Sequence, residues 1–189
     1  MPLQRFTRMY GIKDAKISAL LTDPAASTPT YGPAIDVPGI KTFEITGEIE
    51  VKTLRGDNQK LASMSALTNV QVAITHAKMS LDVLTAIIGG AVTDAGTTPA
   101  QTSTWDLKGA TATFPAFKLE GVTPPNGIDL IGGDVHVVMH KLTCSAFPDL
   151  GFAEEDFRIA SFTADADPLI SNDKWLSVVI NETAVAIGA

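Results

Sequence analysis

This sequence predicts a mainly β protein, a β-sandwich or barrel with one short flanking α-helix and a long loop or arm near its N-terminus. Three observations carry that expectation. Several short runs of alternating apolar and polar residues are separated by Gly-, Pro- and Asn-containing turns. The 15 glycines and 11 prolines, with abundant Thr and Ala, suit strands joined by long loops. Only one segment has convincing helical spacing, and many strands with one helix point to a sheet closed on itself or packed on another.

Residues 10–21 (YGIKDAKISALL) read as a first strand with a mixed pattern. Residues 22–39 hold Pro24, Pro29, Pro33 and Pro38. Proline cannot donate to a β-ladder, so this stretch reads as an extended loop or arm. Residues 43–54 then alternate over an unusual length. Glu44, Glu48 and Glu50 fall on one face, and Ile45, Ile49 and Val51 on the other. A polar turn at Arg55, Gly56, Asp57 and Asn58 follows, and a second strand is expected over 69–78 after a connecting segment to Leu67. In that strand Val70, Val72, Ile74 and His76 share one face, while Gln71, Ala73, Thr75 and Ala77 share the other.

The helix is expected over 80–88. Ser80 caps it, Asp82 sits near the positive end of its dipole, and Leu81, Leu84, Ile87 and Ile88 repeat at helical spacing. Gly89-Gly90 stops it. About nine residues do not make a stable helix alone in water, so it must pack on a sheet. Residues 92–104 read as a small-residue connector. Further strands are expected over 103–107, 111–120, 134–146, 157–164 and 174–182, with turns at Pro124-Pro125-Asn126-Gly127 and Gly132-Gly133. Residues 183–189 form a short tail. The whole of 1–189 is read as one domain with no solenoid repeat.

Composition narrows the function. Hydrophobic residues make up 45% and charged residues 19%, which suits a folded body. A net charge of −7 disfavours ordinary phosphate-backbone binding, which needs clustered Lys and Arg. The charge is uneven: residues 1–60 carry +1 and residues 61–189 carry −8, which suits either head-to-tail contact between copies or plain scatter among exposed charges. Cys144 is the single cysteine, so an internal disulfide is excluded, in keeping with folding in a reducing cytoplasm. The N-terminus lacks the apolar run of a signal peptide, and no stretch has the ~20 apolar residues of a membrane helix, so no membrane partner is expected.

No catalytic site is expected. The sequence has no G-x-S-x-G, no Walker loop, no G-x-G-x-x-G and no C-x-x-C. His136 and His140 are four apart in a strand-like run, a separation of about 13 Å that one metal ion cannot bridge. They read as side chains lining one strand face, with Cys144 on the same parity. Glu154-Glu155-Asp156 reads as a solvated acidic loop. No metal and no cofactor are expected. Arg55-Gly56-Asp57 spells an adhesion tripeptide, yet a polar turn explains it better. Trp105 and Trp175 read as core or subunit-contact anchors.

The order of these features resembles a known family. YGIKDAKI at 10–17, the Pro-rich loop, EIEVKTLRGDN at 48–58, the strand ending His76-Ala77, the helix closing at Gly89-Gly90 and FKLEG at 117–121 together resemble the major tail tube proteins of long-tailed (siphovirus-type) bacteriophages. The resemblance covers most of the chain, and the order and spacing of the motifs carry it. It implies a β-sandwich subunit of which six copies form a ring, with inner strands joined into a continuous barrel. Rings stack into a hollow tube that conducts viral DNA, alongside tape-measure, tail-tip and terminator proteins. The expected location is the virion tail, after assembly in the host cytoplasm.

In that setting Glu44, Glu48 and Glu50, with Lys52 on the same parity, are expected to face the lumen, where an acidic wall lets a polyanion slide without sticking. Arg55, Gly56, Asp57, Asn58 and Gln59, with Tyr31 and Pro33 of the arm, are the candidates for contacts between subunits or rings. A contractile-injection or type VI-like tube subunit is the alternative. A monomeric β-sandwich binding or adhesion module is a second, although only two Trp and two Tyr are available to build its platform.

Overall fold

In the computed structural model, which describes residues 7–109, 113–125, 132–151, 154 and 159–188, the elements follow in the order β1 (Asp14–Thr22), β2 (Thr30–Tyr31), β3 (Ile35–Asp36), β4 (Ile40–Gly56), β5 (Gln59–His76), α1 (Leu81–Ile88), β6 (Ala91–Ala95), β7 (Thr102–Asp106), β8 (Phe117–Val122), β9 (Asp134–Cys144), β10 (Ala160–Ala166) and β11 (Leu176–Asn181). Nine strands make one antiparallel sheet in the order β2-β1-β8-β9-β10-β5-β4, with β3 also on β1 and β11 also on β9. β6 and β7 form a separate hairpin. The expected mainly β architecture with one short helix is what the chain adopts.

One face of the sheet is the core. Ala15 and Ile17 of β1, Phe117 and Leu119 of β8, Met139 and Leu142 of β9, Phe162 and Ala164 of β10, and Val70, Val72 and Ile74 of β5 are all buried there. The sheet curls around them. Phe117 and Phe162, two strands apart, meet edge-on at 6.3 Å between ring centroids. Phe43 of β4 packs back over Gly121 of β8, where a Cβ would lie 3.0 Å from its ring carbons. Helix α1 closes the core with Val83, Leu84, Ile87 and Ile88. Ser80 caps it as expected, its Oγ accepting from the N–H of Val83, and Gly89 ends it at a φ of 89° that favours glycine.

Several boundaries differ from the sequence reading, each for a local reason. β5 begins at Gln59, so residues 59–68 are strand and not a connecting segment. The turn shrinks to Asp57 and Asn58, whose φ values of 49° and 64° are those of the tight hairpin turn that matches strand twist. Residues 22–39 are docked along β1: β2 and β3 pair with it, and Val37 is 1% exposed. The connector at 92–104 is the β6–β7 hairpin, with Ala91 opposite Asp106 and Ala95 opposite Thr102. β1 starts at Asp14, because Gly11 turns the chain at a φ of 65° and leaves Tyr10 83% exposed. β8 starts only after Pro115, at Phe117. The expected starts at 111 and 157, the Asn126-Gly127 half of one turn, and Glu155-Asp156 lie outside the described residues.

A bulge corrects one parity. Phe117 pairs with Leu142 and Leu119 with Met139, so β9 carries one extra residue between them. Met139, Leu142 and Cys144 therefore all reach the core, and Cys144 leaves the face shared by His136 and His140.

Candidate functional site

The distal half of the β4–β5 hairpin is the most unusual surface of the molecule. Residues 46–55 of β4 and 59–68 of β5 are exposed without interruption. β10 pairs with β5 only from Val70 to His76, so the ribbon leaves the sheet at Asn69 and extends roughly 30 Å at strand rise. A bulge at Thr68, whose Oγ1 donates to the Glu48 carbonyl, marks the departure. Among the described residues, no strand pairs with the outer edge of β4, nor with the edge of β5 away from β4 across 59–69.

Register gives the ribbon two different faces. On one, Thr42, Glu44, Thr46, Glu48, Glu50 and Lys52 stand opposite Thr75, Ala73, Gln71, Asn69, Ala66 and Met64. All of Glu44, Glu48, Glu50 and Lys52 are exposed and share this face, as their spacing predicts. The Lys52 ammonium sits 3.6 Å from Glu50 in an open ion pair that contributes little to stability. Toward the tip the face loses its acids and ends in Leu54, Ala62 and Met64.

This polar face does not stop at the hairpin. Thr46, Gln71, Asp165 and Thr143 lie in one row across β4, β5, β10 and β9, and Gln71 Nε2 donates to Asp165 Oδ1 at 2.8 Å. Glu44, Ala73 and Thr163 make the next row; Thr42, Thr75 and Ser161 the one after. The wall is therefore four strands wide, and Asp165, Thr163 and Thr143 were missed in the sequence. The alternation of Gln71, Ala73 and Thr75 was the signal that could have found its neighbours.

The opposite face continues the core out into solvent. Phe43, Ile45, Gly47, Ile49 and Val51 stand opposite Ile74, Val72, Val70, Leu67 and Ser65. Inside the body these pairs are packed; beyond Gly47 they are bare, with Ile49 64%, Val51 57% and Leu67 48% exposed. At the ribbon's base a cleft of about 300 Å³ lies between Ile12, Phe43, Gly121, Val122 and Val137, with Lys41 and Glu44 also lining it. A bare two-stranded ribbon is marginal in water, and exposed aliphatic side chains in a row mark a contact surface.

The contact candidates are dispersed. Arg55, Gly56, Asp57, Asn58 and Gln59 form the ribbon tip, where Leu61 folds against Gly56. Pro33 is exposed on the docked loop. Tyr31 is half-buried inside its own subunit: its hydroxyl donates to the His140 carbonyl at 3.1 Å, and the Lys118 ammonium lies 5.3 Å from its ring centre. Burial, then the Asp23 charge, raises its pKa. Trp105 packs on the core with Nε1 donating to Gly89 O at 3.0 Å, and Trp175 also packs there.

The two histidines share a face of β9 but not a role. His136 is buried against Glu120 and Asp134, while His140 Nε2 meets Ser177 Oγ at 2.8 Å. Among the described residues no group of three or more His, Cys, Asp or Glu is placed to hold a metal ion, and no helix is long and apolar enough to cross a membrane. Cys144 is buried, its thiol pKa raised chiefly by burial, and its Sγ–H points at the carbonyls of Ala146 and Thr163. Comparison with known proteins brings a match neither to a family model nor to a curated protein.

Proposed function

We propose that this protein is the structural subunit of a hollow tube, of the bacteriophage tail-tube kind, in which six copies close a ring and stacked rings form a conduit for DNA. The observation that carries the reading is the ribbon with unlike faces: bare aliphatics on one side, a continuous Glu- and Thr-rich wall on the other and, among the described residues, no strand on the outer edge of β4 or on the outer edge of β5 across 59–69. Open edges and exposed aliphatics call for other chains to cover them. Identical copies do so when their edges pair and the aliphatic face of each ribbon lies on the body of a neighbour, which covers Ile49, Val51 and Leu67 and leaves Glu44, Glu48, Glu50 and Asp165 to line the bore. A carboxylate-lined, water-filled bore repels the phosphate backbone, so DNA passes without being held. The hairpin tip and Pro33 remain for contact between rings and with the tail proteins at each end.

The test pairs assembly with folding. Concentrated protein viewed by negative stain is expected to show rings or tubes. Ile49→Glu with Val51→Glu should leave a folded monomer of unchanged circular dichroism. A wild-type chain that sediments as a monomer at every concentration, also alongside tail initiator proteins, or a double variant that assembles like wild type, would overturn the reading.

A further inference from the structure

On the sheet face opposite the core, residues 183–188 cross β9, β8 and β1 as a strap. Their fastening is specific. Ala184 N–H donates to Gly132 O at 2.8 Å, Val185 N–H donates to Asp134 Oδ2 at 2.9 Å, and Lys16 Nζ donates to Ile187 O at 3.3 Å. The Ile187 side chain is 4% exposed although its neighbours are open. Beneath the strap His136, 5% exposed, places Nδ1 2.8 Å from Glu120 Oε1 and Nε2 3.0 Å from the Val185 carbonyl.

Both partners of the ring are acceptors. A neutral imidazole donates from one nitrogen only, so satisfying both requires the imidazolium. The Lys118 ammonium lies 3.4 Å from Glu120 on the side away from the ring, the placement of an ion-paired carboxylate, which is an acceptor only. We infer that His136 is a protonation-dependent clasp, and that residues 183–188 are a strap that lies down when the ring is charged and lifts when it is neutral. On losing a proton, the ring keeps its hydrogen on Nδ1 against the closer, charged Glu120. The Nε2 lone pair then faces the Val185 carbonyl and Asp134 Oδ2 at 3.4 Å, and both repel it.

The charges around the ring agree. β8 contributes Glu120 and Lys118, β9 contributes Asp134 and His140, and β1 contributes Asp14 and Lys16; β11 offers the neutral Asn181, which donates to Asp134 Oδ1. Burial is the largest influence and lowers the His136 pKa. The Glu120 hydrogen bond, the Asp134 and Glu120 charges and the Val185 carbonyl outweigh it, so the net shift is upward. A raised pKa means the clasp is complete below ~6.5 and is lost as pH rises through the folded-state value. The strap therefore lifts on the alkaline side, uncovering His136 and Lys16 and freeing a short apolar segment for another surface.

The experiment is performed on the monomer, so it stands apart from assembly. Ring nitrogen NMR at pH 6 should show His136 protonated at both positions. Amide exchange at Ala184 and Val185, corrected for its intrinsic pH dependence, should lose at least tenfold protection as His136 titrates, while Val72 and Leu119 stay unchanged. Glu120→Gln should move that transition about one unit lower, as expected for removing an adjacent opposite charge. A neutral ring at pH 6, or strap protection that ignores pH, would overturn the inference.

Discussion

Two histidines four residues apart on one strand face are pushed in opposite directions by what lies around them. Burial lowers the His136 pKa, but Glu120, Asp134 and the Val185 carbonyl outweigh it and draw the ring up, whereas burial, then Lys174 and Lys118, draw His140 down. Asp23 is a further case in which geometry sets charge. It accepts from the N–H groups of Ile170 and Ser171 and lies 3.6 Å from Lys141, tying the residues after β10 to the end of β1. The Ile170 bond is the main cause of its lowered pKa; burial opposes, and Ser171 and Lys141 add to the lowering. A depressed carboxyl contributes stability above its unfolded value and loses it as pH falls through the folded value. Urea titrations of wild type and Asp23→Asn should therefore converge below about pH 4 and diverge above it. Gly121 makes a second residue-scale prediction. An added methyl would meet the Phe43 ring at 3.0 Å, so Gly121→Ala should cost about 1–2 kcal/mol in chemical denaturation. Phe43→Leu in the same chain should recover part of that loss, read as a coupling in a double-mutant cycle.

At the scale of elements the long hairpin rests on its tightest point. Asp57 and Asn58 both adopt positive φ, a conformation Asn tolerates and Gly prefers. Asn58→Gly should slow amide exchange along 59–68 by a few-fold and leave the core unaffected, because the ribbon opens independently of the body. Helix α1 depends on its cap in the same way. The Ser80 bond to Val83 N–H is long at 3.4 Å, so Ser80→Ala should destabilise by about 0.5–1 kcal/mol, at the low end for such caps. Docking of residues 22–39 on β1 shows why prolines alone do not define an arm. They remove ladder donors, yet Tyr31 and Val37 between them still find partners.

For the whole molecule, in the proposed tube, the question is which side of the ribbon meets water. Glu50→Cys, read with a bulky maleimide, distinguishes the sides. Native Cys144 adds little background because it is buried and its thiol pKa is raised. Labelling is expected to be fast in the free subunit and strongly slowed in closed tubes. Equal labelling along intact tubes would place the acidic wall outside. The aliphatic side is expected to behave oppositely: covering the exposed part of Ile49, Val51 and Leu67 would contribute about 1 kcal/mol each to the proposed ring.

Alternation alone determined the two faces of β4, the core face of β5 and the capped helix, because period-2 and period-3.6 patterns are written in local spacing. Tertiary structure decided what spacing cannot express. It showed that residues 59–68 pair as strand, that a bulge turns Cys144 inward, that Asp165 and Thr143 extend the polar wall, and that residues 183–188 return to lie on His136. Each depends on chain segments far apart in sequence meeting across the sheet, and the free energy that settles them comes from contacts absent from any local window.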